Sequence, residues 1–159
     1  MTGSSGQPVA AAAAGGIDPT RYGYTQGQWD AAVDAGVRIL KDVAGLGPAT
    51  GVISYTDLCE RIFAITDVRV VPREFALPHL LGDMCRETLR SDRCAITALV
   101  VYQNSADAGP GLYSLAVDEH LLPKKPSERE KERFRSDHMN LAYATWPRQR
   151  HVSGARFRS

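Results

Sequence analysis

Asp83 and Glu87 stand four residues apart. On a helix that is one turn, and two carboxylates on one face can share a divalent metal in a hydrolase. Such a site also wants a Lys or a third acid, and the strand expected next offers Tyr102 and Gln103 instead. Cys85, Cys94 and His79 are the next candidates, as zinc ligands, but their spacing matches no closed zinc set. With Cys59 they make three cysteines and no Cys-x-x-Cys pair, which points to a reducing cytoplasm rather than a disulfide framework. Cys59 and Cys85 fall near apolar positions and read as small core residues. No Gly-x-Ser-x-Gly, His-Glu-x-x-His or phosphate-loop spacing occurs. The residues therefore assign no catalytic group, no metal and no cofactor.

Residues that could bind are better represented. Tyr55 follows Ser54 at the start of a helix, where free N–H groups favour a phosphate; its plainer role is an amphipathic ring closing the core edge. Arg86 and Arg90 lie one turn apart and can reach phosphates or bases. Asp83, Glu87 and Asp92 beside them are equally typical of a solvated face. Arg148, Arg150, Arg156 and Arg158, with His151 and Phe157 between them, make a basic-aromatic tail of the kind that meets nucleic acid or an acidic protein.

These groups need elements to hold them. Residues 1–26 are rich in Gly, Ala, Ser and Pro and predict a flexible leader, with Tyr22 and Tyr24 at its end suited to packing. Trp29, Ala32, Val33, Gly36, Val37, Leu40 and Ala44 recur at helical spacing and predict a helix over 28–44. Val52-Ile53 is a short extended piece. Ser54, with Asp57 three residues on, caps a helix whose buried face is Leu58, Cys59, Ile62 and Phe63. The β-branched segment 64–73 reads as a loop or a strand pair. A third helix starts around Pro78, with Leu77, Leu80, Leu81, Met84 and Leu89 inward and His79, Asp83, Arg86, Glu87 and Arg90 outward. Ala95 to Tyr102 predicts a buried strand. Asn104 to Gly111 predicts a turn or wing, and 112–122 a helix ended by Pro123. Ser127 and Glu130 open a last helix over 127–145 in capping-box spacing. Its apolar stripe is Phe134, His138, Leu141, Ala142 and Trp146.

The 159 residues suit one domain, residues 27–146, and a basic flexible tail, residues 147–159. No apolar run approaches the roughly 20 residues that span a bilayer. The net charge of +1 conceals an asymmetry. Residues 1–123 hold 9 Lys/Arg against 14 Asp/Glu, a net of −5, and residues 124–159 hold 10 against 4, a net of +6. An acidic body argues against indiscriminate DNA binding, since phosphate neutralisation needs cations. The basic end points to an anionic partner or folds back on the body.

The order helix, helix, strand, Gly-rich turn over residues 53–115 resembles the winged-helix domain of the O6-alkylguanine-DNA alkyltransferases and alkyltransferase-like proteins. Where that family opens Thr/Ser-Tyr-Gly-Glu-Leu-Ala, this chain has Ser54-Tyr55-Thr56-Asp57-Leu58-Cys59. Its Arg-Ala-Val-Gly is matched by His79-Leu80-Leu81-Gly82, and its Pro-Cys-His-Arg-Val-Val by Ile96-Thr97-Ala98-Leu99-Val100-Val101. Its Gly-rich wing falls on Gly109-Pro110-Gly111-Leu112-Tyr113. The chain is also similar to small bacterial proteins with an Ile-Ser/Thr-Tyr opening, a Leu-Gly helix, a Val-Val strand and a Pro-Gly turn. The resemblance implies an α+β, mostly helical winged helix-turn-helix, with helices added at both ends. It implies a Tyr55 beside the DNA backbone and, at His79, the position of a side chain that displaces a base. It does not imply alkyl transfer. Thr97 stands where the acceptor Cys would be, and Ala98 and Leu99 replace the His and Arg that would ionise it.

The expectation is a non-enzymatic, cytoplasmic protein that binds duplex DNA. Tyr55, His79, Arg86, Arg90, Gly109, Gly111, Arg148 and Arg150 are its expected contacts. The alternatives are a protein-interaction module on the same fold and, further off, a metal-dependent hydrolase on Asp83 and Glu87.

Overall fold

A computed structural model describes residues 18–72, 74–102 and 108–148. Most of the predicted leader and tail, and the first half of the predicted wing, lie outside these residues. The fold is mostly helical with one two-stranded parallel sheet.

Helix α1, Gln26–Ala44, begins two residues before the periodicity does, because Thr25 and Gln28 form a capping box. The Gln28 N–H donates to Thr25 Oγ1 at 3.0 Å and the Thr25 N–H to Gln28 Oε1 at 2.8 Å. Just upstream, residues Pro19–Tyr22 form a 3-10 turn. Tyr24 is buried there, its hydroxyl donating to Glu74 and to the Arg69 carbonyl. Residues 18–26 thus belong to the packed body. The predicted apolar face of α1 is buried throughout, and α2, α3 and α5 pack against it. At Gly36 a Cβ would lie 2.3 Å from Met84 Cε, so the missing side chain lets α3 approach closely.

Strand β1, Ile53–Ser54, runs directly into α2, Tyr55–Thr66. Ser54 caps it as expected, accepting from the Asp57 N–H at 3.1 Å. Helix α2 consumes the first residues of the β-branched segment, and Asp67 ends it at φ 64°. The chain continues from there as a loop. Its β-branched bias reflects burial of Val68 and Val70 beneath the core rather than sheet pairing.

Helix α3, Ala76–Asp92, carries Pro78 in its first turn and buries Leu77, Leu80, Met84, Cys85 and Thr88. Arg93 then turns the chain at φ 60°.

The predicted strand over 95–102 is the main correction. Residues Ile96–Leu99 form a 3-10 turn, and only Val100–Val101 is a strand, β2. It pairs parallel with β1, Ile53 opposite Val100 and Ser54 opposite Val101. The expected burial holds for residues 95–101, whereas Tyr102, the predicted last residue of the strand, is 48% exposed. The expected backbone does not, because side chains satisfy it in place of a ladder. Thr88 Oγ1 donates to the Cys94 carbonyl at 2.7 Å and accepts from the Ile96 N–H at 3.4 Å. His138 Nδ1 accepts from the Ala95 N–H at 3.0 Å.

The wing is corrected in part. Gly109 is the N-cap of helix α4, Pro110–Asp118, and Gly111 lies in its first turn. The helix predicted from 112 starts earlier and stops four residues short of 122. Helix α5, Glu128–Thr145, opens with the expected Ser127–Glu130 capping box and packs over the 3-10 turn and α1. No helix among the described residues is long and apolar enough to cross a membrane.

Candidate functional site

The start of α2, the head of α3 and the start of α4 enclose a cleft of about 410 Å³. Tyr55 and Tyr102 form one wall, their ring centroids 5.3 Å apart and tilted by 48°. Leu77, Pro78 and Leu81 of α3 form the other. Leu112 and Leu115 line it from α4, and Thr97, 6% exposed, from the 3-10 turn. The cleft is mainly apolar with a few hydroxyls, the usual make-up of a small-molecule site.

Tyr55 is fixed by its hydroxyl, which accepts from the Gly109 N–H at 2.7 Å. Accepting leaves the hydroxyl proton free to be donated. Burial pushes the phenol above its ordinary range, so it stays protonated. A Cβ at Gly109 would fall 2.5 Å from Tyr55 Oη, so a side chain there would have to displace the ring. Gly111 is different: a Cβ would meet nothing within 4 Å. One predicted glycine makes the contact and the other leaves the rim open.

The remaining predicted residues separate. His79 is exposed on the first turns of α3, its ring 5.9 Å from that of Tyr22. Arg86, 22% exposed at its side chain, bridges Glu119 at 3.1 Å and Asp83 at 3.8 Å. It ties α3 to the turn after α4 instead of facing outward. Arg90 is exposed in the last turn of α3. Arg148 lies beyond α5, beside Trp146 and Lys41, away from the cleft lining. Arg150 lies outside the described residues. The structure thus brings Tyr55, Gly109 and Gly111 together, sets His79 next to Pro78 on the same helix, and leaves Arg86, Arg90 and Arg148 out of the cleft lining.

Asp83 Oδ2 accepts from Trp29 Nε1 at 2.8 Å, so the acid proposed for metal sharing braces α1 instead. No three of His, Cys, Asp and Glu gather into a possible metal site among the described residues. Burial pushes the Cys59 and Cys85 thiols up to about 11 and the Cys94 thiol to about 12. Thr97 hydrogen-bonds Cys85 from the cleft side. A thiol held protonated and buried is a poor nucleophile.

Tyr102, which lines the cleft, and Phe75, which is 83% exposed, were not singled out from the sequence. Tyr102 carried a signal, an aromatic directly after a buried apolar run. Phe75 carried none, since its exposure depends on the loop before α3. No known protein family, curated protein or solved structure matches the chain.

Proposed function

We propose that the protein binds DNA without transforming it, through a winged-helix-like arrangement of α1, α2 and α3, and that the cleft receives an unstacked base. The observation that carries this reading is the cleft itself. It gathers Tyr55, Thr97, Gly109 and Gly111, four positions matched to one DNA-handling motif, around a volume suited to a flat ring. The element order helix, strand, helix, helix, strand, helix supports it too. So does the open head of α3: the terminal helix α5 packs on α1 and the 3-10 turn instead. Thr97 at the acceptor position, with the buried Cys85 thiol beside it held protonated, favours recognition over alkyl transfer.

The geometry alters how α3 would meet a duplex. Arg86 is held by two carboxylates, so groove reading falls to the head of the helix and to Arg90. Electrostatic grip comes from the basic end of the chain. The test is fluorescence anisotropy with a labelled duplex at 50 and 200 mM salt. If three or four phosphates are neutralised, affinity drops roughly 40- to 150-fold over that range. Removing residues 147–159 weakens binding and flattens the salt slope. Absence of binding to duplex or single-stranded DNA at low salt removes the proposal. Unchanged silence towards DNA together with concentration-dependent self-association selects the interaction module instead.

A further inference from the structure

We infer that the pocket between the C-terminal ends of α1 and α5 binds a phosphate group. It lies apart from the cleft, and the inference does not need the DNA-binding reading above. The pocket holds about 580 Å³, and its charged lining sets Lys41, Arg61 and Arg148 against one carboxylate, Asp42. The three cations come from α1, from α2 and from the segment after α5, so packing alone gathers them. They gather against the composition of the body, since residues 1–123 carry a net −5.

Each cation has a fixed base. Lys41 is half-buried, and its Nζ lies 5.6 Å from the Trp146 ring centroid, which directs the ammonium. Arg61 is exposed on α2, but the next residue, Ile62, is buried against Gly36 of α1. A Cβ at Gly45 would stand 3.4 Å from the Arg148 N and Cα, so the chain beyond α5 lies close against the end of α1. None of these charges is committed elsewhere: among the described residues neither the three cations nor Asp42 takes part in an ion pair. The end of α1 does not call on them either. The Lys41, Val43 and Ala44 carbonyls accept from the Gly45, Leu46 and Gly47 N–H groups. Two helix ends carry roughly half a negative charge each, which with Asp42 offsets only part of three cations. Guanidinium forks match phosphate oxygens in pairs, and the ammonium adds a point charge. A carboxylate ligand has one charge to set against Asp42, whereas a phosphate monoester carries about two and a nucleic-acid backbone supplies one per step.

The site carries its own reporter, because Trp146 lines it while the other tryptophan, Trp29, is buried in the core. The full chain is titrated with inorganic pyrophosphate at constant ionic strength, with chloride as the matched control, and tryptophan fluorescence is read. Wild type gives a saturable change with pyrophosphate and none with chloride, and Trp146→Phe removes it. Arg61→Gln and Arg148→Gln alter exposed side chains, leave thermal unfolding unchanged and each weaken binding about tenfold. Asp42→Asn strengthens it several-fold. An equal response to chloride, or wild-type affinity in both arginine variants, overturns the inference. A second arm adds a labelled duplex. Its displacement by pyrophosphate supports a site for backbone phosphates, and an undisturbed duplex supports one for a free phosphate-bearing ligand. Should wild type bind no duplex, the DNA-binding reading falls and the pyrophosphate titration still decides this site.

Discussion

The cleft and the seam beneath α5 share the same short turn, residues 96–99, and use it in opposite ways. Towards α5 the turn and its approach are sealed. His138 Nδ1 takes the Ala95 N–H, Arg135 Nε donates to the Ala98 carbonyl, and Cys94 Sγ approaches the His138 carbonyl. The Phe134 ring, buried, closes against His138 at 4.4 Å. Towards the cleft, Thr97 of the same turn faces apolar walls and a volume with room for a ligand. The seam satisfies main-chain groups with side chains and leaves little to bind. The cleft makes one such bond, Tyr55 to Gly109, and leaves hydroxyls and rings facing open space. Damage to the seam should therefore appear as lost stability, and damage to the cleft as lost binding.

The largest test strikes the turn itself. Thr88→Val keeps the volume but removes the hydroxyl that donates to the Cys94 carbonyl and accepts from the Ile96 N–H. Buried main-chain groups left unpaired cost about 2–3 kcal/mol. Urea unfolding should show a loss of that size, and DNA affinity should fall with it because both regions depend on this turn. A loss confined to one region would mean that the turn is not shared.

His138 tests the seam alone. Burial holds its pKa below the ordinary 6.5, with a smaller opposing contribution from Asp137. The hydrogen bond from Ala95 needs a deprotonated Nδ1. The folded state takes up its proton at lower pH than the unfolded chain does. Stability from this group is therefore present above pH ~6.5 and lost as pH falls from there through the folded pKa. His138→Gln should lower stability at pH 8 by about 1 kcal/mol and flatten the acid limb below pH ~6.5. An acid limb identical to wild type would assign the pH dependence elsewhere.

Tyr55→Phe tests the cleft. It strands the Gly109 N–H and should cost about 1 kcal/mol in unfolding while reducing DNA affinity several-fold. Equal affinity would remove Tyr55 from the interface and weaken the contrast between the two regions. The smallest effect belongs to Arg86→Gln. Its two ion pairs are partly exposed, so stability should change by less than about 1 kcal/mol. Because the guanidinium is already engaged, DNA binding should hardly move, whereas Arg90→Gln should weaken it and relax the sequence preference at the base it reads. A large loss of affinity with Arg86→Gln would return that residue to the groove.

Some of this was legible without coordinates. Both serine caps, at Ser54 and Ser127, are readable because a cap is made by residues three apart. The core faces of α1 and α3 are readable because helical period places their apolar residues on one side. The Thr25–Gln28 box obeys the same rule, but the apolar pattern that starts the predicted helix at 28 hides it. Residues 95–102 defeat sequence reading for a reason that composition cannot convey. A continuous apolar run reports burial, and burial is common to a strand and to a 3-10 turn braced by Thr88 and His138.

Local order along the chain decided where the helices begin, which faces they bury, and that Tyr55 heads one of them. Only tertiary packing decided that Tyr55 would meet Gly109, that Asp83 would brace Trp29, that Arg86 would be tied down, and that Phe75 would stand clear. Caps and amphipathic faces arise from residues within a turn or two of each other. A cleft joins positions 55, 78, 97, 102 and 109, and nothing short-ranged relates them until the core brings their elements together.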